Sequence, residues 1–406
     1  MHTDSGLSFE KRLIETLKAQ PKGSALLQPF YNDPEIFDLD MERIHMRRWL
    51  CAGHASQASA PGAWFRFDVA GESLLIVRGT DHVLRALVNV CRHRGSRVCY
   101  EESGQSRRLV CPYHAWAYDL EGHLASARKS QDLDASELSL AQVHCRVVEG
   151  LVFVCFAENP PEFDHVDVTL KQSLGRFGWG SARVAKKARY SVSANWKLAT
   201  ENYQECYHCR PAHPEFSQGH ATEKPEEETV HLRRDARQRA LDHGIEISEV
   251  YRWPGGGEQG FEGVACSNDA LYEGCVTGSR DGSPLAPLMG DFSDYCGGFM
   301  TYADVGPASF FLAYPDHGVM YLFLPRGVQQ TDMEIIWLVD EKAEEGVDYD
   351  PEELGWLWDV TSIADKRIIE QNQFGVNSRY YKPGPYTPME STTQEFTEWY
   401  LEQLKP

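Results

Sequence analysis

Two short segments place a thiol beside an imidazole. Cys91-Arg-His93 supplies one of each, and after 17 intervening residues Cys111-Pro-Tyr-His114 supplies a second pair. Two thiolates suit one iron of a 2Fe–2S unit and two imidazoles suit the other. Neutral imidazoles in place of thiolates raise the reduction potential, and this defines a Rieske centre. Two cysteines with two histidines also fit tetrahedral zinc, but zinc fingers place both cysteines first and both histidines later. Here the types alternate within each loop, so a Rieske cluster on Cys91, His93, Cys111 and His114 is the expectation.

A second constellation lies in the segment from Asn195-Trp-Lys through Glu201, Glu205 and Tyr207-His208 to His213. The pattern predicts a helix over 196–210, capped by Asn195 and ended by Pro211. On such a helix Glu201, Glu205 and His208 share one face, at steps of four and three. His213, beyond the proline, can turn back to meet His208 at one metal. Two histidines need a carboxylate to complete the facial triad that leaves positions open for dioxygen on non-heme iron. Asp359, Asp365 and Glu370 are the local candidates, and Glu370, five residues from Asp365, faces elsewhere on the helix. Cys206 and Cys209 flank His208 and leave zinc or copper open. On the assumed helix, however, Cys209 lies about 100° round from His208.

The elements that must carry these residues are legible in outline. Residues 9–19 read as an amphipathic helix and 36–49 as a second helix. From 64 to 156 short β-prone runs (64–69, 73–78, 84–90, 147–156) alternate with Gly, Asp and Asn, which reads as a small all-β domain holding both cysteine–histidine loops. Asn159-Pro160-Pro161 marks a boundary. Strands follow at 186–194, 309–314, 319–324 and 334–339, with a glycine-rich loop at 254–263. A late helix runs over 351–373, with Pro351 in its first turn, and a terminal helix over 393–404. In the strand at 309–314 Phe310 and Phe311 must face opposite ways.

The 406 residues, 42% hydrophobic and 25% charged, suffice for two or three domains. A net charge of −20 excludes a basic nucleic-acid face and disfavours an anionic membrane surface. No apolar run is long enough to span a bilayer, no signal-peptide core opens the chain, and 11 cysteines do not read as a secreted disulfide framework. A cytoplasmic protein is the expectation.

Cys91-Arg-His-Arg-Gly95 and Cys111-Pro-Tyr-His-Ala-Trp116, followed by Tyr118-Asp119 and Gly122, resemble the Rieske domain of ring-hydroxylating oxygenases and related demethylases. The resemblance extends from about Phe30 to Leu404. It implies an α+β chain in which an all-β Rieske domain precedes a helix-grip (START-like) catalytic domain built on an antiparallel sheet. The implied organisation is an N-terminal helical segment (1–43) packed on the catalytic domain, a Rieske domain (44–158) and a catalytic mononuclear-iron domain (159–406). It also implies Asp365 as the third ligand beside His208 and His213, and a homotrimer or a multiple of one. In that assembly Glu205 would bridge the iron site to His93 or His114 of a neighbouring subunit.

Most ring hydroxylases carry Asp where this chain has Glu205. Glutamate there resembles the subgroup acting on quaternary ammonium compounds, as do Gln371-Asn-Gln-Phe-Gly-Val-Asn-Ser-Arg379 and Pro383-Gly-Pro-Tyr-Thr-Pro388. The resemblance thus implies O2-dependent hydroxylation of an N-methyl group on a small methylammonium cation of betaine type, with loss of formaldehyde. Electrons would come from NAD(P)H through a separate flavin- or ferredoxin-type reductase. An aromatic-ring dioxygenase or an aryl O-demethylase would use the same metals. A Rieske electron carrier would leave His208, His213 and Asp365 dispensable.

Overall fold

The alternating residues between 50 and 155 form a seven-stranded antiparallel sheet. Its spatial order is Leu50–His54, Leu151–Cys155, Gln142–Val148, Leu84–Val88, Glu72–Arg78, Ala63–Val69 and Ser103–Gln105. A three-stranded sheet, Leu109–Val110, Ala117–Tyr118 and Leu124–Ser126, carries the second cysteine–histidine loop. The computed structural model describes residues 8–128, 134–221, 224, 226–247, 251–253, 262–292 and 297–406, so most of the glycine-rich loop lies outside the described residues.

The run expected as one strand over 147–156 is instead a hairpin. Gln142–Val148 turns back on Leu151–Cys155 through Glu149 and Gly150, whose φ angles are +46° and +76°. Two consecutive positive φ angles are what a two-residue hairpin turn requires. A Cβ at Gly150 would lie 2.0 Å from His54 Nε2, so the position also needs glycine for space.

The second half holds another seven-stranded sheet, in the order Arg183–Val192, Gln330–Val339, Gly318–Gly327, Ser309–Ala313, Phe299–Val305, Val264–Ala270 and Tyr251–Trp253. Its register sorts side chains into two faces. Ser267, Tyr302, Leu312, Val319 and Trp337 lie in one row across the strands, and Cys266, Ala303, Phe311, Met320 and Ile336 in the next. The first face packs on the helix Pro351–Val376, together with Leu13, Leu26, Phe30 and Ile36 from the N-terminal segment. The second packs on the first sheet, where Phe311 meets Phe153 at 6.2 Å between ring centroids. Phe310 and Phe311 thus point opposite ways, and Phe310 reaches Tyr203 at 4.7 Å.

Helix Pro351–Val376 starts where the side chain of Asp350 accepts a hydrogen bond from the Glu352 N–H. The helix at 36–49 is shorter than expected: Pro34–Asp40 passes into a π-type turn, Met41–His45. The helix expected over 196–210 ends at Tyr203, as described below. Among the described residues no helix is long and apolar enough to cross a membrane.

Candidate functional site: two metal-ligand clusters

The two cysteine–histidine loops have one backbone design. In the first, Cys91 N–H donates to the Ser96 carbonyl and Gly95 N–H donates back to the Cys91 carbonyl. In the second, Cys111 N–H donates to Trp116 and Ala115 N–H to Cys111. Gly95 and Ala115, at equivalent positions, both have positive φ, +79° and +59°. These turns bury Cys91 and Cys111 while His93 stays exposed and His114 half-buried, their Nδ1 atoms 3.1 Å apart. His93 stacks on Trp116, and the Tyr118 hydroxyl lies 3.3 Å from Cys91 Sγ.

Burial raises the Cys111 thiol, so a bound cation is needed to hold it as a thiolate. Burial also lowers His114, helped by the neighbouring His93 and Arg94, which leaves its imidazole lone pair free to ligate. Two buried thiols below two facing imidazole nitrogens fit a 2Fe–2S unit with mixed ligands.

The second cluster depends on a break in the chain. The helix Trp196–Tyr203 begins on the Asn195 side chain, which accepts from the Lys197 N–H, and stops at Tyr203. Glu205 then folds back on its own backbone: its carboxylate accepts from the N–H groups of Tyr207 and His208 and holds His208 Nδ1 at 2.6 Å. A Cys206–Cys209 disulfide closes the same turn. Glu201, Glu205 and His208 therefore do not share a face of one helix. Glu201 points instead into the core, where the Tyr31 hydroxyl donates to it. Cys209 opens the short helix Cys209–Ala212, and its sulfur is committed to Cys206.

This turn sets His208 and His213 at right angles, ring centroids 5.1 Å apart. Asp365 arrives from helix Pro351–Val376, with Oδ1 2.9 Å from His213 Nε2 and 3.2 Å from His208 Nε2. One ligand atom from each of the three lies within 4.8 Å of the others. The competing carboxylates are engaged elsewhere: Asp359 accepts from the Tyr190 hydroxyl, and Glu370 accepts from Ser193 N–H and pairs with Lys366.

Burial would raise the Asp365 carboxyl, but hydrogen bonds from both histidines bring it below its ordinary value. Burial would lower His208, but Asp365 and Glu205 raise it to about 9. Such a set fits a cation held by two imidazoles and one carboxylate, the facial arrangement of non-heme iron.

The three residues open on a cavity of about 460 Å³. Tyr203, Phe216, Tyr321 and Trp358 line it, with Asp269, Met300, Tyr302 and Asp304 from the strands Val264–Ala270 and Phe299–Val305. Trp358, Thr361 and Asp365 lie on one stripe of the long helix. The wall contributed by Asp269 and Asp304 was not legible from the sequence, since no spacing ties those strands to the helix. A larger surface groove, about 990 Å³, runs between residues 17–24 and the terminal helix and holds none of the three ligands.

Two family models match: a Rieske 2Fe-2S domain over residues 48–140 and the catalytic domain of ring-hydroxylating alpha subunits over residues 180–405. The glycine betaine monooxygenase oxygenase subunit of Chromohalobacter salexigens is 34% identical over 398 residues, 96% of this chain and 88% of that one. Its namesake from Pseudomonas aeruginosa (PAO1) is 32% identical over 413 residues, 97% of this chain and 92% of that one. The solved structure of the quaternary ammonium Rieske monooxygenase CntA, bound to an inhibitor, superposes with a TM-score of 0.72 at 22% identity, covering 94% of this chain and 96% of that one. Two matched domains carry a Rieske cluster and a mononuclear iron, and the described geometry offers a donor set for each. The chain belongs to the Rieske-type non-heme iron oxygenases, as a ring-hydroxylating alpha (oxygenase) subunit.

Proposed function

We propose that this oxygenase hydroxylates an N-methyl group of a small betaine-type quaternary ammonium compound, which then loses formaldehyde to leave the demethylated amine. The observation that carries the reading is the three-ligand cluster opening on a cavity walled by Tyr203, Phe216, Tyr321 and Trp358. Aromatic faces attract a methylated ammonium through the ring quadrupole. Relatives named for glycine betaine and carnitine support the same substrate class.

In this reading Cys91, His93, Cys111 and His114 hold the cluster, and His208, His213 and Asp365 hold the iron. Bound there, the metals supply one-electron transfer and dioxygen activation. The chain's own residues do the rest. Glu205 fixes the tautomer and orientation of His208 through its Nδ1. The aromatic wall excludes water and turns a methyl group toward the ligand cluster. A quaternary nitrogen has no lone pair, so the C–H bond of a methyl group is the point of attack. The hydroxymethyl group then gives up its O–H proton and leaves as formaldehyde as the C–N bond breaks, its electron pair staying on nitrogen.

Glu205 also serves as the bridge to the cluster of a neighbouring subunit, in a homotrimer or a multiple of one. Electrons come from NAD(P)H through a separate flavin- or ferredoxin-type reductase in the cytoplasm. The test is a substrate panel with purified protein, reductase and NAD(P)H: glycine betaine, proline betaine, choline, carnitine and aromatic acids. Loss of one methylene unit from a betaine, matched by formaldehyde, is the expected result. Hydroxylated aromatics with inert betaines would overturn the substrate assignment and leave the family standing.

A further inference from the structure

The cavity wall contains a carboxylate that the ligand cluster does not use. Asp269 stands on strand Val264–Ala270, directly across from Met300 in the register, with Tyr302 and Ser267 on the same face. The described contacts of its carboxylate are few: Ser267 Oγ at 3.4 Å and the charge of Arg233. Burial pushes it up to about 6, so at neutral pH it is an anion facing a largely apolar chamber. No Lys or Arg side chain lines the cavity among the described residues.

Two further observations mark the same chamber as a ligand site. Trp358, 5% exposed, lines it, and its Nε1–H has no hydrogen-bond partner among the described residues. The Tyr203 hydroxyl, also in the wall, is likewise unpartnered among them. Buried donors of this kind are normally satisfied. A ligand carrying an oxygen acceptor would satisfy them.

We propose that Asp269 is the specificity-determining anion of the cavity, holding the substrate's ammonium by charge while Trp358 and Tyr203 offer donors to its oxygen-bearing end. This rests on the reading of the cavity as a quaternary ammonium site. A tetraalkylammonium has no N–H, so the carboxylate acts by Coulomb attraction alone. That attraction is strong across a water-poor chamber and weak in bulk water. The same charge repels an isosteric anion, so one residue both selects the cation and rejects its neutral-headed mimic.

The test compares glycine betaine with its carbon isostere, in which a tert-butyl group replaces the trimethylammonium, binding to the metal-loaded enzyme by calorimetry. In Asp269→Asn the betaine Kd is expected to rise roughly 10- to 100-fold, while the isostere's Kd stays level or falls. Asp269→Glu should restore much of the preference, and circular dichroism and iron content should match wild type in both variants. KM for betaine should rise more than kcat falls. Equal weakening of betaine and isostere, or no change in either, would overturn the role of Asp269 and leave the proposed function intact. Failure of wild type to bind or turn over any quaternary amine would overturn both.

Discussion

Glu205 sits 2.6 Å from His208 Nδ1 and accepts backbone N–H groups from the same turn. Replacing it by glutamine keeps a similar shape but loses the charge that orients His208. We expect Glu205→Gln to retain about three irons per chain and a dithionite-reducible cluster, while product formation falls roughly 10- to 100-fold or more. Wild-type turnover in that variant would refute its role between the two centres.

Glu201, four residues earlier, behaves differently. Burial pushes its carboxyl up to about 8, against the lowering pull of Tyr31 and Lys197. The unfolded chain gives up this proton near the ordinary value of 4.5, while the folded chain keeps it to about 8. Its contribution to stability is therefore complete below pH 4.5 and is lost as pH rises through 8. Glu201→Gln removes this titration, so its Tm relative to wild type should climb between pH 4.5 and 8. The buried histidines His45, His54 and His220, lowered by burial to about 3, 4 and 4, contribute with the opposite sign and cancel in that difference. A flat Tm difference across this window would contradict the assignment.

Among the elements, one ion pair joins three helices. Asp40 ends helix Pro34–Asp40 and Lys197 lies in the first turn of Trp196–Tyr203; the two are paired and fully buried. Trp196 Nε1–H and the Tyr400 hydroxyl, the latter on the terminal helix Ser391–Gln403, also donate to Asp40. Removing the cation strands a buried carboxylate that Trp196 and Tyr400 satisfy only in part. Lys197→Met should cost about 3–5 kcal/mol of stability, read as a shift in the denaturant midpoint. A loss below about 1 kcal/mol would place the pair among those worth little.

The elements also show what the sequence could and could not reveal. The loops proposed to hold the cluster stood out because all four candidate ligands lie within 24 residues and each loop closes locally. His208 and His213 were legible for the same reason. Asp365 is 152 residues from His213, and only the family resemblance selected it over Asp359 and Glu370. The end of the helix at Tyr203 was missed because Gln204, Glu205 and Cys206 carry no proline or glycine. The break comes from the Glu205 carboxylate taking backbone N–H groups, which competes with the helix ladder. The hairpin at Glu149-Gly150 was missed because a glutamate at φ +46° interrupts an otherwise continuous apolar run. Asp269 and Trp358 were beyond reach, since a strand and a helix about 90 residues apart meet only through the sheet.

At the scale of the whole molecule, the two centres of one chain are not joined by any described contact. His93 and His114 meet Trp116, Tyr113 and each other, and neither bonds to Glu205 or His208. Around them Tyr100, Val110 and Tyr113 are 56, 48 and 55% exposed, and near the other centre Tyr207 is 55% exposed. Apolar side chains left open beside both centres suit burial against another copy. In the proposed closed ring the cluster of each subunit would lie beside the iron of the next.

This arrangement predicts complementation. If Cys91 and His213 hold the proposed centres, Cys91→Ser should lose the cluster and His213→Ala the iron, and each variant alone should be inactive. Co-expressed in equal amounts, a cluster-bearing subunit neighbours an iron-bearing one at about a quarter of the interfaces in a closed ring. Activity per chain should recover to about that fraction of wild type. Transfer within a single chain would give none, because no subunit in the mixture carries both centres.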